Sequence, residues 1–313
     1  MGHSTSASGH SSTSMGYSTS ASGDYSTAMG RSTTATGSFS TSMGRSTIAS
    51  GDYSTAMGYY TSASGNYSTA MGRSTIASGV YSTAMGYYTS ASGNYSTAMG
   101  QYATASGYNS TAIGTRVSAN GRQGSFVIGD YITYSEASTL SADAQDRFLA
   151  RFNNGYKLYT NQDLSSSSIG LMALHNANSW SSISDSTKKE NFIPADGEKV
   201  LKSISKMRVG TWNYIGQSPQ EYRHWGPMAQ DFYAHFGKDE FGSVGCDTLI
   251  ASADFDGVNF AAIKALEERT RELQKENDSL KSLMSKQKDQ INELMQLKEL
   301  LTKEHQEALQ NSK

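Results

Sequence analysis

The sequence predicts a mainly β chain: a parallel β-solenoid with 14-residue coils, then a small α+β module, then a C-terminal coiled coil. Three observations carry this reading. Glycine stands at every seventh position from Gly2 to Gly121, 18 times without a miss. The three prolines, Pro194, Pro219 and Pro227, all lie in one stretch of ordinary globular composition between Ser184 and Gly257. From Ile263 onward, apolar residues return with a heptad period.

Across the glycine-phased stretch a pair of heptads alternates, Arg45-Ser-Thr-Ile-Ala-Ser-Gly51 and Asp52-Tyr-Ser-Thr-Ala-Met-Gly58, so the true unit has 14 residues. A coiled coil is excluded here, because each heptad carries a glycine and several Ser, Thr or Tyr, which disfavour helix. The pattern suits strands of about five residues, each followed by a turn in which glycine takes a positive φ. One such coil cannot bury a face alone, so coils must stack. Ala at the position two before glycine (Ala7, Ala21, Ala28, Ala49, Ala56) fits a thin interior, with Ser14 and Ser42 as exceptions. The position before glycine is polar in one heptad, as at Ser50, Ser64 and Ser78, and Met in the other, as at Met57, Met71 and Met85, so one outer sheet carries a Met stripe. We read that stripe as an oligomer contact, against a stripe folded into the chain's own core. Tyr59, Tyr60, Tyr87 and Tyr88 fall at outer positions; stacking on sugars is one reading, and plain strand preference is the favoured one. Met1 falls in phase with the internal Met-Gly pairs, so the sequence opens in mid-repeat.

Composition narrows the function classes. The 313 residues carry a formal net charge of −2, which leaves no basic surplus for nucleic acid. A single cysteine, Cys246, leaves no disulfide framework and no multi-cysteine metal site; no metal or cofactor is expected. No apolar run approaches the roughly 18 residues that span a bilayer, so no membrane insertion is expected.

The phase slips after Gly121, and the repeat is placed at residues 1–129, with a β-rich link at 130–183. Phe148 to Thr160 reads as a hairpin around Asn154-Gly155, and Ile169 to Leu174 as a short apolar run. Glu136, Asp143 and Asp146 cluster in sequence, but nothing fixes the separation a glycosidase pair needs.

Residues 184–258 form the next module, opening on Ser184-Asp-Ser-Thr-Lys-Lys189 and closing on Asp254-Phe-Asp-Gly-Val258. A serine with a lysine five residues on is a weak signal by itself. Lysine acts as a base toward serine only where burial lowers its pKa, and an exposed, capped turn explains the same residues. Residues 259–313 continue as a coiled coil, with Ile263, Thr270, Asn277, Met284, Ile291, Lys298 and His305 at a. The d positions are Leu266, Leu273, Leu280, Gln287, Leu294, Leu301 and Ala308. The competing reading is one solvated helix; the heptads alone do not set the number of strands.

Two resemblances sharpen this. Ser-Thr-Ala-Met-Gly and Asn109-Ser-Thr-Ala-Ile-Gly114 resemble the head repeats of YadA-like trimeric autotransporter adhesins, which implies a left-handed parallel β-roll in a trimeric fibre. The Ser184 opening, Arg223-His-Trp-Gly-Pro-Met-Ala-Gln-Asp-Phe232 and Asp254-Phe-Asp-Gly-Val258 resemble the C-terminal intramolecular chaperone of endosialidase-type phage tailspikes. That resemblance implies a homotrimerising module that cuts itself off between Ile183 and Ser184, with Ser184 as nucleophile, Lys189 as its base and Asp185 in a supporting role. Lys188 is a local ambiguity, and the family spacing favours Lys189. His224 and the segment Gly226 to Phe232 are read as structural. The implied product is a fibre on a virion tail or a bacterial surface, with a host glycan or protein as receptor. The rival readings are an uncleaved adhesin with a coiled-coil stalk and a glycan-cleaving tailspike.

Overall fold

A computed structural model describes residues 2–131, 139–160 and 170–311. Glu136 and Ile169 lie outside the described residues, and the side chain of Ala308 is likewise not described. The chain divides into two compact units, Met1–Ile183 and Ser184–Lys313.

The first unit is a parallel β-solenoid. Its wider sheet has 11 strands and its narrower sheet has 10, each strand pairing in parallel with its equivalent one coil away. The register is 14 residues, as in Ala56↔Ala70, Met57↔Met71 and Gly58↔Gly72. The two heptads do not make equal strands. The Met-Gly heptad keeps five residues, as at Thr55–Tyr59, while the other keeps only two, as at Ile48–Ala49. Hydrogen bonds between coils continue through the turns, as in Tyr60 N–H to Arg45 C=O (3.0 Å) and Ser50 N–H to Ala63 C=O (2.9 Å). The ladder therefore satisfies backbone groups that a thin rod could not otherwise shelter.

The glycines do a different job from the expected one. The positive φ at the corners belongs to other residues, such as Ser46 (55°), Tyr53 (57°) and Tyr60 (53°). Gly58 lies inside a strand at φ +123°, and a Cβ there would sit 2.0 Å from the Gly72 carbonyl oxygen. Gly51 has no such φ, yet a Cβ on it would sit 2.1 Å from the Gly65 oxygen. Glycine is needed chiefly because successive coils touch backbone to backbone.

The interior is as thin as the alanines imply. Ala28, Ala35, Ala49 and Ala56 are fully buried, alongside Thr33, Thr47, Ser40 and Ser54. The two exceptions at the alanine position make hydroxyl pairs across the interior, Ser14–Thr19 at 2.6 Å and Ser42–Thr47 at 2.7 Å. Ser96 and Ser110 turn their hydroxyls onto the carbonyls of Gly93 (2.6 Å) and Gly107 (2.7 Å). At the equivalent turns the hydroxyls of Ser26, Ser40, Ser54, Ser68 and Ser82 make no such bond.

The Met stripe lies outside this core. Met29, Met43, Met57, Met71, Met85 and Met99 stay partly exposed in one column. Beside it runs a column of Tyr17, Arg31, Arg45, Tyr59, Arg73 and Tyr87, in which guanidinium groups lie 5.3–5.8 Å from the ring centroids. At the turns, Tyr25, Phe39, Tyr53, Tyr67 and Tyr81 stack face to face, with centroids 4.7–4.8 Å apart. Tyr59 and Tyr60, and likewise Tyr87 and Tyr88, meet edge to face instead, with centroids 4.4 and 4.6 Å apart.

Both sheets run past Gly129, to Leu140–Ser141 and Phe148–Arg151, where Val117, Val127 and Leu149 widen the core. The expected hairpin at 148–160 is not formed. Phe148–Arg151 joins the solenoid, pairing in parallel with Phe126–Gly129, and Gly155–Tyr159 pairs instead with Gly170–Leu174. A turn through Asn153 and Asn154 separates the two, and all four residues of the first strand find partners on the solenoid edge. Asp143 is tied to Arg147 at 2.7 Å and Asp146 occupies a positive-φ turn, so neither is placed as a catalytic carboxylate.

Gly58→Ala should destabilise the rod by roughly 3 kcal/mol or more, because strain and a backbone collision add. Gly121→Asn, at φ +70° with nothing within 4 Å of its Cβ position, should change stability by less than about 1 kcal/mol. Thermal unfolding of the two variants checks the contrast.

Candidate functional site

The second unit opens on the sequence-predicted residues and places them together. A short 3₁₀ turn, Ser186–Lys188, is capped by Asp185. The Asp185 carboxylate accepts from the Thr187 N–H (2.9 Å) and hydroxyl (2.8 Å). Those two bonds, backbone first, hold its carboxyl below the usual aspartate range. The turn brings the chain back so that Lys189 Nζ donates to Ser184 Oγ at 2.8 Å. Lys188 sits beside Asp185 and contributes charge there, so the lysine that touches the serine is Lys189. Ser184, Asp185 and Lys189 are all exposed in the single chain.

The rest of the unit is a compact frame. Helix α1 (Gly197–Ile204) is capped by Asp196, whose carboxylate accepts from the Lys199 N–H. Strands Val209–Trp212 and His224–Pro227 pair antiparallel and lead into α2 (Ala229–Phe236), which buries Phe232. His224 lies against Trp212 (4.8 Å) and Tyr214 (5.4 Å), with Nε2 3.2 Å from Gln217 Oε1, a packing position as expected. Helix α3 spans Ser252–Asn311, so Asp254-Phe-Asp-Gly-Val258 forms its first turns rather than the end of the globular part. Ala262 and Ala265 bury one face of α3, and Arg269 forks onto Glu198 of α1. Next to that face Leu266, Leu273, Leu280, Leu294 and Leu301 stand 50–65% exposed, an apolar row interrupted by Gln287.

Two ion pairs lay beyond sequence reasoning. Arg208 forks onto Asp231 at 2.8 and 3.0 Å and adds its own N–H at 3.1 Å. The guanidinium, then the N–H, holds the Asp231 carboxyl below its ordinary range. The partners are 23 residues apart, and those of Glu198–Arg269 are 71 apart, so no local spacing announces either. Among the described residues, no three or more His, Cys, Asp or Glu gather to hold a metal ion, and no helix is long and apolar enough to cross a membrane.

A stacked β-solenoid followed by a separate α+β unit, with a serine–lysine contact at its first residue and a long, charge-rich helix bearing an exposed leucine row at its end, defines a repeat chain carrying a C-terminal module. Comparison with known families agrees on both units. Residues 7–33, 35–61, 63–89 and 91–116 match the YadA head domain repeat. Residues 184–239 match Peptidase_S74, the chaperone of endosialidase. No curated protein matches the chain.

Asp231→Asn should lower the thermal midpoint of the second unit at neutral pH. A depressed carboxyl contributes stability above its unfolded-state pKa and loses it as pH falls through the folded value. The gap between parent and variant should therefore close only below the ordinary aspartate range, as followed by circular dichroism from pH 7 downward.

Proposed function

We propose that the chain is a homotrimeric, adhesin-like surface or tail fibre whose C-terminal module assembles it and then cuts itself away between Ile183 and Ser184. The observation that carries this reading is the Lys189–Ser184 contact at the first residue of the segment matched by the chaperone family. The division between the two compact units falls at the same peptide bond, so cutting there leaves each unit whole. The YadA-type repeats, the exposed Met column and the exposed seam of α3 support self-association. The rod and its link form the released fibre, the module from Ser184 is the chaperone and autoprotease, and the helix beyond residue 259 forms the coiled coil. A host glycan or protein is its receptor.

The chemistry is a single turnover. Ser184 Oγ, giving its proton to neutral Lys189, attacks the Ile183 carbonyl carbon. The Ile183–Ser184 C–N bond breaks, the Ser184 nitrogen takes up a proton, and an ester to Oγ remains. Water then hydrolyses that ester, freeing the Ile183 carboxylate and restoring the serine hydroxyl. Asp185 holds the turn that presents Lys189.

The dyad is exposed in the single chain. A lysine serves as base toward serine only where burial favours its neutral form, so in this reading neighbouring copies cover the dyad before cutting. The same exposure is what an uncleaved adhesin with a structural turn would show, and gel analysis separates the two. The parent should give two bands, split before Ser184, while Ser184→Ala and Lys189→Ala should give one full-length band with the trimer intact. Rates in the two variants should fall by at least about a thousandfold. Intact mass showing Ser184→Ala still cut at this bond would falsify the assigned nucleophile.

A further inference from the structure

The first turns of α3 carry one face against the chain's own module and one face open. The heptad phased on Ile263 and Leu266 runs back along the same helix, placing Phe255, Ala262 and Arg269 at g and Phe260 at e. The g column is occupied by the chain's own module. Phe255 packs on Phe232 with centroids 6.2 Å apart, Ala262 is buried, and Arg269 pairs with Glu198. The e column, across the seam, touches none of this. Its early members are polar, Glu267, Gln274, Lys281 and Lys288, except for Phe260, which is 73% exposed.

Beside Phe255 lies an apolar pocket of about 340 Å³, walled by Ile204, Met207, Val209, Trp225 and Val258. Val209 and Trp225 are 62% and 79% exposed, so the pocket is open in the single chain. In a parallel, in-register bundle, a g residue lies beside the e residue of the following heptad on the next helix. The residue that this rule sets against Phe255 is Phe260 of the next copy.

We propose that Phe260 of each copy seats in the Phe255 pocket of its neighbour, so that every module is closed by the helix of the next chain around a threefold ring. This rests on the reading of the chain as a parallel homotrimer. It goes further in assigning the neighbour-facing side of each module and the side chain that fills it. Such a contact is head-to-tail and closes on itself only when the ring is complete.

Disulfide trapping in the full chain tests it. In a Cys246→Ser background, Val209→Cys with Phe260→Cys should oxidise to a covalent trimer on non-reducing gels. Each single variant, and Val209→Cys with Glu268→Cys at the outward f position, should run as unlinked chain. All these positions follow Ser184, so cleavage does not alter the result. Without the added cysteines, Phe260→Ser should raise trimer dissociation at least about tenfold, and Phe260→Leu less. A trimer by light scattering with no linked species, or with equal linkage through Glu268→Cys, overturns the pocket contact while leaving the trimer standing. A monomer by light scattering overturns both.

Discussion

Backbone-to-backbone contact between successive coils is the constraint on which the rod depends. At Gly51 and Gly58 the next coil lies so close that a methyl group has no space. That closeness follows from the parallel ladder, whose strands lie about 4.8 Å apart. It then fixes much else. The aromatic rings at the corners sit at the same spacing as the coils, so they stack face to face. The interior narrows to alanine, serine and threonine. A buried methyl group contributes about 0.8 kcal/mol, so two alanines per coil supply little of the cohesion. The ladder, the stacked rings and the surfaces left for neighbours must supply the rest.

The same constraint fits the proposal of a fibre that needs help to form. Non-local parallel pairing is slow, and its growing edge is open to wrong partners. A long helix makes its contacts locally and forms early. The second unit attaches such a helix, 60 residues long, to a compact α+β frame through Ala262, Ala265 and the Arg269–Glu198 fork. In the proposed mechanism, removal of that unit separates the finished rod from the device that aligned it. The fibre is then held by the slowness of its own unfolding.

Much of this was legible in residues alone. The glycine phase, the alanine interior, the outer Met column and the heptads of α3 all follow from local periodicity, which reports strand and helix faces directly. The role of the glycines was not legible, because a one-dimensional pattern does not distinguish a residue that must turn from one that must leave room. The strand Phe148–Arg151 was recognisable, but its partner was not, since pairing depends on which edge is already available. At the candidate site, spacing and family resemblance pointed to Lys189, and the 3₁₀ turn capped by Asp185 is the local reason that it reaches Ser184. The Arg208–Asp231 and Glu198–Arg269 forks join distant segments and had no sequence signal.

The repeat has a further consequence. Residues 45–72 and 73–100 are identical except that Asp52 is replaced by Val80. Two copies laid side by side and displaced by two coils would present almost the same surfaces to each other. The rod is thus a scale without a zero: copies aligned in phase would find hardly anything in it to decide which coil faces which. Only sequence that occurs once per chain can set the origin, and such sequence is concentrated after Gly121. Long stretches of near-perfect translational symmetry make an extendable fibre, and they hand the choice of alignment to its unique end.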